Sequence, residues 1–153
     1  MKKVSILSFL LLCYMISAAQ ILNPVKWTSS VKKIGQKEYE LHITAFIDKH
    51  WHLYSQDAGE EMISTTFSFM KNPIVKFDGK LMESGDLKIE NDPNLRLTLR
   101  YYYGQVDFIQ KVEMRSASST VVKGSVTYIV CSDVDRKCLP AKTYSFSIKV
   151  DGK

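Results

Sequence analysis

The sequence predicts an all-β protein, an immunoglobulin-like antiparallel β-sandwich, on three observations. Apolar residues recur at every second position over several stretches, the period of half-buried strands. Turn-forming residues punctuate the chain at short intervals. No stretch of about a dozen residues or more carries helical periodicity. Roughly seven to nine short strands in one domain fit two stacked antiparallel sheets.

The elements follow in chain order. Residues 1–19 read as a cleaved secretory signal peptide. Lys2 and Lys3 form a positive start, Ile6 to Ile16 an apolar run too short to span a bilayer, and Ser17, Ala18 and Ala19 a small-residue cleavage site. Cys13 falls inside the apolar run after "LLL", where a lipid-attachment motif would need a small residue, so it is expected to leave with the peptide. Removing 19 residues from the 153-residue chain leaves 134, enough for one domain, residues 20–153, with a core of its own. Without Lys2 and Lys3 the formal charge falls from +5 to +3. The lysines are scattered, and no basic stripe argues for nucleic acid.

In "EYELHITAFI", Tyr39, Leu41, Ile43, Ala45 and Ile47 share one face, and Phe46 breaks the alternation on the other. "HWH" sets His50 and His52 two apart, which on one strand would put both on one face, as a metal site could use. No third ligand suggests itself, so the expectation is no metal, with Trp51 turned to the core. "GEEM", Gly59 to Met62, reads as an acidic loop. Bends are expected at Lys71–Pro73, Phe77–Lys80, Glu83–Asp86 and Asn91–Asn94. Tyr101, Tyr102 and Tyr103 either line a groove or pack on the sheet with wet hydroxyls. "VDFIQKVEM" places Val106, Phe108, Val112 and Met114 on one side. "KGSVTYIV" is expected to run as a strand up to Cys131. Its antiparallel neighbour, "KTYSFSIKV", turns Tyr144, Phe146, Ile148 and Val150 one way.

That arrangement puts Cys131 and Cys138, the two cysteines beyond the leader, near the mouth of one strand connection in a compartment where disulfides form. Six residues separate them, slack enough for a disulfide. Closing an eight-residue loop would contribute only about 2.5 kcal/mol on the chain-entropy formula. Arg136 and Lys137 favour a thiolate at Cys138, while Asp133 and Asp135 oppose one nearer Cys131. Residue chemistry leaves two readings open. One is a thiol:disulfide exchange couple; the other is a non-catalytic secreted β-sandwich binding module stapled by a structural disulfide.

The segment "VTYIVC" with "CLPAKTYSFSI" resembles the periplasmic N-terminal domain of the thiol:disulfide interchange protein DsbD. That family has a Tyr-x-x-Cys strand end, a short loop, a second Cys, and then an aromatic residue or Leu before Pro. Upstream, "WHLYSQ", "TTFSF", "NDPNL" and "VDFIQKV" look like a stand-alone form from Bacteroidetes-type bacteria. The resemblance implies an immunoglobulin-like periplasmic domain whose cysteine pair cycles between dithiol and disulfide. It would trade electrons with thioredoxin-like or disulfide-isomerase-like periplasmic proteins, as a monomer, without metal or organic cofactor and without membrane insertion once the signal is removed. By position, Cys138 would form the mixed disulfide with a partner and Cys131 would resolve it. A cap loop that shields the pair would fall at Asp92, Pro93, Asn94 and Leu95, with Leu95 as the shielding side chain. The loop between the cysteines is slightly long for the family, and Ala141 stands where a second proline is common. The sequence shows no membrane bundle and no Cys-x-x-Cys, so the expectation is that either a separate protein reduces the pair or the domain has been reused for something else.

Overall fold

The computed structural model describes residues 22–93 and 96–152. The proposed signal segment, and Asn94 and Leu95 of the expected cap loop, lie outside the described residues. Among the described residues, nine strands make up the fold: β1 (Val25–Lys33), β2 (Glu38–Ile47), β3 (Trp51–Tyr54), β4 (Thr66–Phe69), β5 (Val75–Asp92), β6 (Leu97–Met114), β7 (Thr120–Tyr128), β8 (Val130–Ser132) and β9 (Lys142–Val150). A 3-10 turn, Glu61–Ile63, occupies the acidic "GEEM" region. All pairings are antiparallel. One sheet runs β1-β2-β6-β3-β8 with β5 on the far edge of β6, and the other runs β4-β7-β9. The protein is therefore an all-β, immunoglobulin-like sandwich.

Alternation built the core as expected. Leu41, Ile43 and Ala45 of β2 and Val106 and Phe108 of β6 are completely buried, and Phe146, Ile148 and Val150 of β9 close over them from the other sheet. Each of these side chains larger than Ala45 contributes roughly 1.5–3 kcal/mol relative to exposure. Aromatic rings lock the sheets together: Phe67 of β4 lies 4.8 Å from Phe108 of β6, and Phe69 of β4 lies 4.9 Å from Phe77 of β5. Tyr144 is only half-buried, stacked on Trp27 of β1.

Three expectations are corrected. The sequences at Phe77–Lys80 and Glu83–Asp86 are not bends between strands. Both lie within the 18-residue β5, where the register against β6 shifts between Asp78 and Met82 and again between Gly85 and Leu87. The Gly and Asp residues that signal turns also serve bulges, and Gly79 at φ 67° sits in the first one. Gln110 of β6, opposite that bulge, is buried, and its amide donates to the Asp78 carbonyl at 3.0 Å and to that of Lys111 at 2.9 Å. A polar residue on the core face of β6 thus satisfies carbonyls that an interrupted ladder leaves open.

The second correction concerns Cys131. The β7 strand pairs with β9 as expected, from Thr120 with Val150 to Tyr128 with Lys142, but it ends at Tyr128. The chain then crosses to the other sheet, and β8 carries Cys131 alongside β3. The third concerns His50. It does not share a strand face with His52, because it lies in the turn before β3 at φ 68°. Among the described residues, no cluster of three or more His, Cys, Asp or Glu side chains is placed to hold a metal. Trp51 does pack against the core.

Candidate functional site

The site grows from one short hairpin. Cys131 and Cys138 face each other as an antiparallel bridge and are joined by a disulfide, with Cα atoms 3.9 Å apart. On either side the backbone closes the hairpin. The Ser132 N–H donates to the Lys137 carbonyl at 2.9 Å, and the Leu139 N–H to the Val130 carbonyl at 3.0 Å. Bonds on both flanks and none within the pair define the non-hydrogen-bonded position of a ladder, where side chains stand closest. The Cys131 backbone therefore faces the other way, towards β3.

The loop between the cysteines is held from inside. Ser132 Oγ accepts from the Val134 N–H at 3.2 Å, and the Asp133 N–H donates to the His50 carbonyl at 2.9 Å. Arg136 takes the left-handed conformation, φ 53°, to turn the chain back towards Cys138. The Ser132 hydroxyl also holds the exposed Asp135 carboxyl below its ordinary range.

Burial divides the two sulfurs. Cys131 is 3% exposed and packs with Tyr54 and Ala58 in a small cluster apart from the main core. Cys138 is exposed. Of the two, Cys138 is the more open to solvent.

Register sets the neighbours. His52 lies directly opposite Cys131 in the β3–β8 pair, and Tyr54 lies opposite Tyr101 in the β3–β6 pair. Directly opposed residues point to the same face. Extending the β3–β6 register by one residue sets Tyr103 beside His52, with ring centroids 5.9 Å apart. One row therefore crosses the sheet as Tyr103, His52, Cys131 and Cys138, with Tyr101 and Tyr54 beside it. The His52 ring lies 4.6 Å from that of Tyr101 and 5.3 Å from that of Tyr54. The Tyr54 hydroxyl reaches within 3.9 Å of Cys131 Sγ; against a disulfide sulfur, the O–H is the donor.

These rings, the disulfide and the end of the β5–β6 hairpin enclose an open groove of ≈ 610 Å³. Polar groups are paired along its wall. His52 Nδ1 lies 2.7 Å from Asp133 Oδ1, and the Tyr103 hydroxyl donates to that same oxygen at 3.1 Å. The Tyr101 hydroxyl donates to Glu90 Oε2 at 2.8 Å. Burial first, then Glu90, pushes the Tyr54 and Tyr101 hydroxyls above the ordinary tyrosine range. Burial and Asp133 do the same for Tyr103. All three phenols are donors near neutrality.

Of the expected cap loop, Asp92 ends β5 and Pro93 lines the same groove as the cysteines. The Asp92 side chain lies outside the described residues. Of the tyrosine run, Tyr101 and Tyr103 face the groove, whereas Tyr102 is 3% exposed and donates to Glu83 at 2.7 Å. Sequence reasoning missed the assembly of His52, Tyr54 and Asp133 around Cys131. The signal was present in period-two spacing, since His52 and Tyr54 share a face, but which strand would carry Cys131 past them was not visible.

Comparison with known proteins gives a consistent result. Residues 18–149 match the family described as thiol:disulfide interchange protein DsbD, N-terminal. No curated protein matches the chain. Among solved structures, the reduced form of the Neisseria meningitidis DsbD N-terminal domain superposes with a TM-score of 0.55 at 14% identity, covering 88% of this chain and 94% of that one. The complex between the DsbD N-terminal and PilB N-terminal domains of the same organism gives 0.51 at 13% identity, covering 85% and 88%. At these identities the structural likeness speaks for the fold.

Proposed function

We propose that this chain, which belongs to the family of DsbD N-terminal domains, passes electrons through Cys131 and Cys138 to or from thioredoxin-like or disulfide-isomerase-like proteins. It would work outside the cytoplasm as a domain of residues 20–153 after loss of a signal peptide. Membership makes it a thiol:disulfide exchange domain in kind; the partners, the compartment and the roles of the two sulfurs are proposed.

The observation that carries it is the inequality of the sulfurs, Cys138 exposed at the groove and Cys131 buried behind it. In the reduced domain the Cys138 thiolate attacks a partner's disulfide. A Cys138–partner bond forms and one partner sulfur leaves as thiolate. Cys131 then loses its proton and attacks Cys138 Sγ. The intramolecular disulfide forms, the mixed disulfide breaks, and the partner departs as a dithiol carrying two electrons. In reverse, a reductant's thiolate attacks Cys138 and expels Cys131. The open groove beside Cys138, lined by aromatic rings, suits an extended partner segment. The solved complex of a related domain with the PilB N-terminal domain supports a partner domain as the occupant.

Single-cysteine trapping tests the roles. Cys131→Ser should hold a thioredoxin-like partner as a lasting mixed disulfide through Cys138, while Cys138→Ser, with only the buried thiol, should trap none. Capture through Cys131 instead would reverse the roles, and a wild-type pair inert to every thiol partner would remove the function.

A further inference from the structure

The reaction proposed above leaves one proton unassigned, that of the Cys131 thiol. Cys131 is 3% exposed, and burial in apolar surroundings disfavours a thiolate. Resolution of a mixed disulfide on Cys138 therefore needs a proton acceptor next to Cys131. We infer that His52, held by Asp133, is that acceptor, an inference resting on the exchange reading.

Three observations place it. First, His52 stands directly across the β3–β8 ladder from Cys131 and on the same face; opposed residues have Cβ atoms about 5 Å apart. Second, Asp133 Oδ1 fixes the ring through Nδ1 at 2.7 Å. In the neutral imidazole, Nδ1–H donates to that carboxylate, which leaves Nε2 as the acceptor. The Tyr103 hydroxyl donates to that same carboxylate oxygen at 3.1 Å and anchors it. Third, Asp133 is two residues from Cys131 on the redox loop, so the loop that carries the thiol also positions the base.

The other polar groups around His52 do not serve. Tyr54 is close to Cys131 Sγ, but burial and Glu90 keep its phenol protonated, so it donates to the sulfur and stabilises the thiolate. Glu90 is engaged by the Tyr101 hydroxyl. Arg136, on the groove wall, carries a permanent charge and accepts no proton. In the step, the Cys131 proton moves to His52 Nε2 and the thiolate pair forms the bond to Cys138 Sγ. The Cys138–partner bond breaks, and the partner's thiolate leaves to be protonated by the imidazolium or by water.

The test uses the purified reduced chain and dithiobis(nitrobenzoate), which reports both cysteines in sequence. Attack by Cys138 releases the first coloured thiolate, and attack by Cys131 on the resulting mixed disulfide releases the second. His52→Gln can still donate to Asp133 but takes no proton. It should slow the second phase about 100-fold at neutral pH and leave the first within about twofold, the size of a lost general base. Imidazole added to His52→Ala should restore the second phase in proportion to its concentration. Asp133→Asn, at an exposed position on the loop between the cysteines, provides a variant that leaves the β3 sequence unchanged, and it should slow the same phase alone. An unchanged second phase in His52→Gln, an equal slowing of both phases, or no rescue by imidazole overturns the inference. Absence of the first phase in the wild type would instead sink the exchange reading, and this inference with it.

Discussion

Replacing Cys138 by Ser distinguishes a working couple from a structural staple, and the hairpin geometry sets the size of its effect. The disulfide closes a loop between residues seven apart. On chain entropy it contributes about 2.5 kcal/mol. That figure is an upper bound, because two backbone hydrogen bonds flank the pair and persist without it. Cys131 remains in place against Tyr54 and Ala58, so no cavity opens. Cys138 is exposed and buries nothing when truncated. For a domain of this size, 2.5 kcal/mol corresponds to a fall of roughly 9 °C in Tm. Urea denaturation of oxidised wild type, reduced wild type and Cys138→Ser separates loss of the bond from loss of the residue. The reduced protein and the variant should agree, both folded and both within about 2.5 kcal/mol of the oxidised form. A loss above about 4 kcal/mol, or failure to fold, would show that the sandwich depends on the bond and would refute this reasoning.

Two further outcomes follow from the packing. Gly59 sits at φ 89°, and a Cβ there would lie 2.2 Å from the Thr98 carbonyl oxygen; Gly59→Ala should therefore destabilise the domain by about 1–3 kcal/mol in urea denaturation, with stability unchanged as the contrary result. Burial raises the hydroxyls of Tyr54, Tyr101, Tyr102, Tyr103 and Tyr128 above the ordinary value of 10.0. The unfolded chain then releases tyrosine protons first, so stability should hold below the unfolded value and fall as pH rises beyond it. Phenolate absorbance against pH in native and denatured protein checks this, and coincident curves would contradict it.

Legibility followed period. Where polar and apolar residues alternate strictly, as from Tyr39 to Ala45 and from Thr143 to Val150, the face assignments hold residue by residue, with Tyr144 only half-buried. Where the run is apolar throughout, as in "YIVC", period no longer marks a strand's end, and the crossing from β7 to β8 was invisible. Glycine with aspartate reads as a turn in a single strand, and only the long partner β6 makes it a bulge. The cysteine pair itself was plain. Its unequal burial was not, because that depends on Tyr54 and Ala58 arriving from elsewhere in the chain. His52 was noticed for the wrong reason: spacing to His50 suggested a metal, whereas its ladder partner is Cys131.

The central claim is that the Cys131–Cys138 pair exchanges electrons, and its reduction potential tests this most directly. Equilibration of the purified protein against glutathione buffers, with thiol trapping, gives the value. A working couple should show a potential between roughly −180 and −270 mV, the range of proteins that trade electrons through a cysteine pair. A potential below about −300 mV would mark a structural disulfide and contradict it.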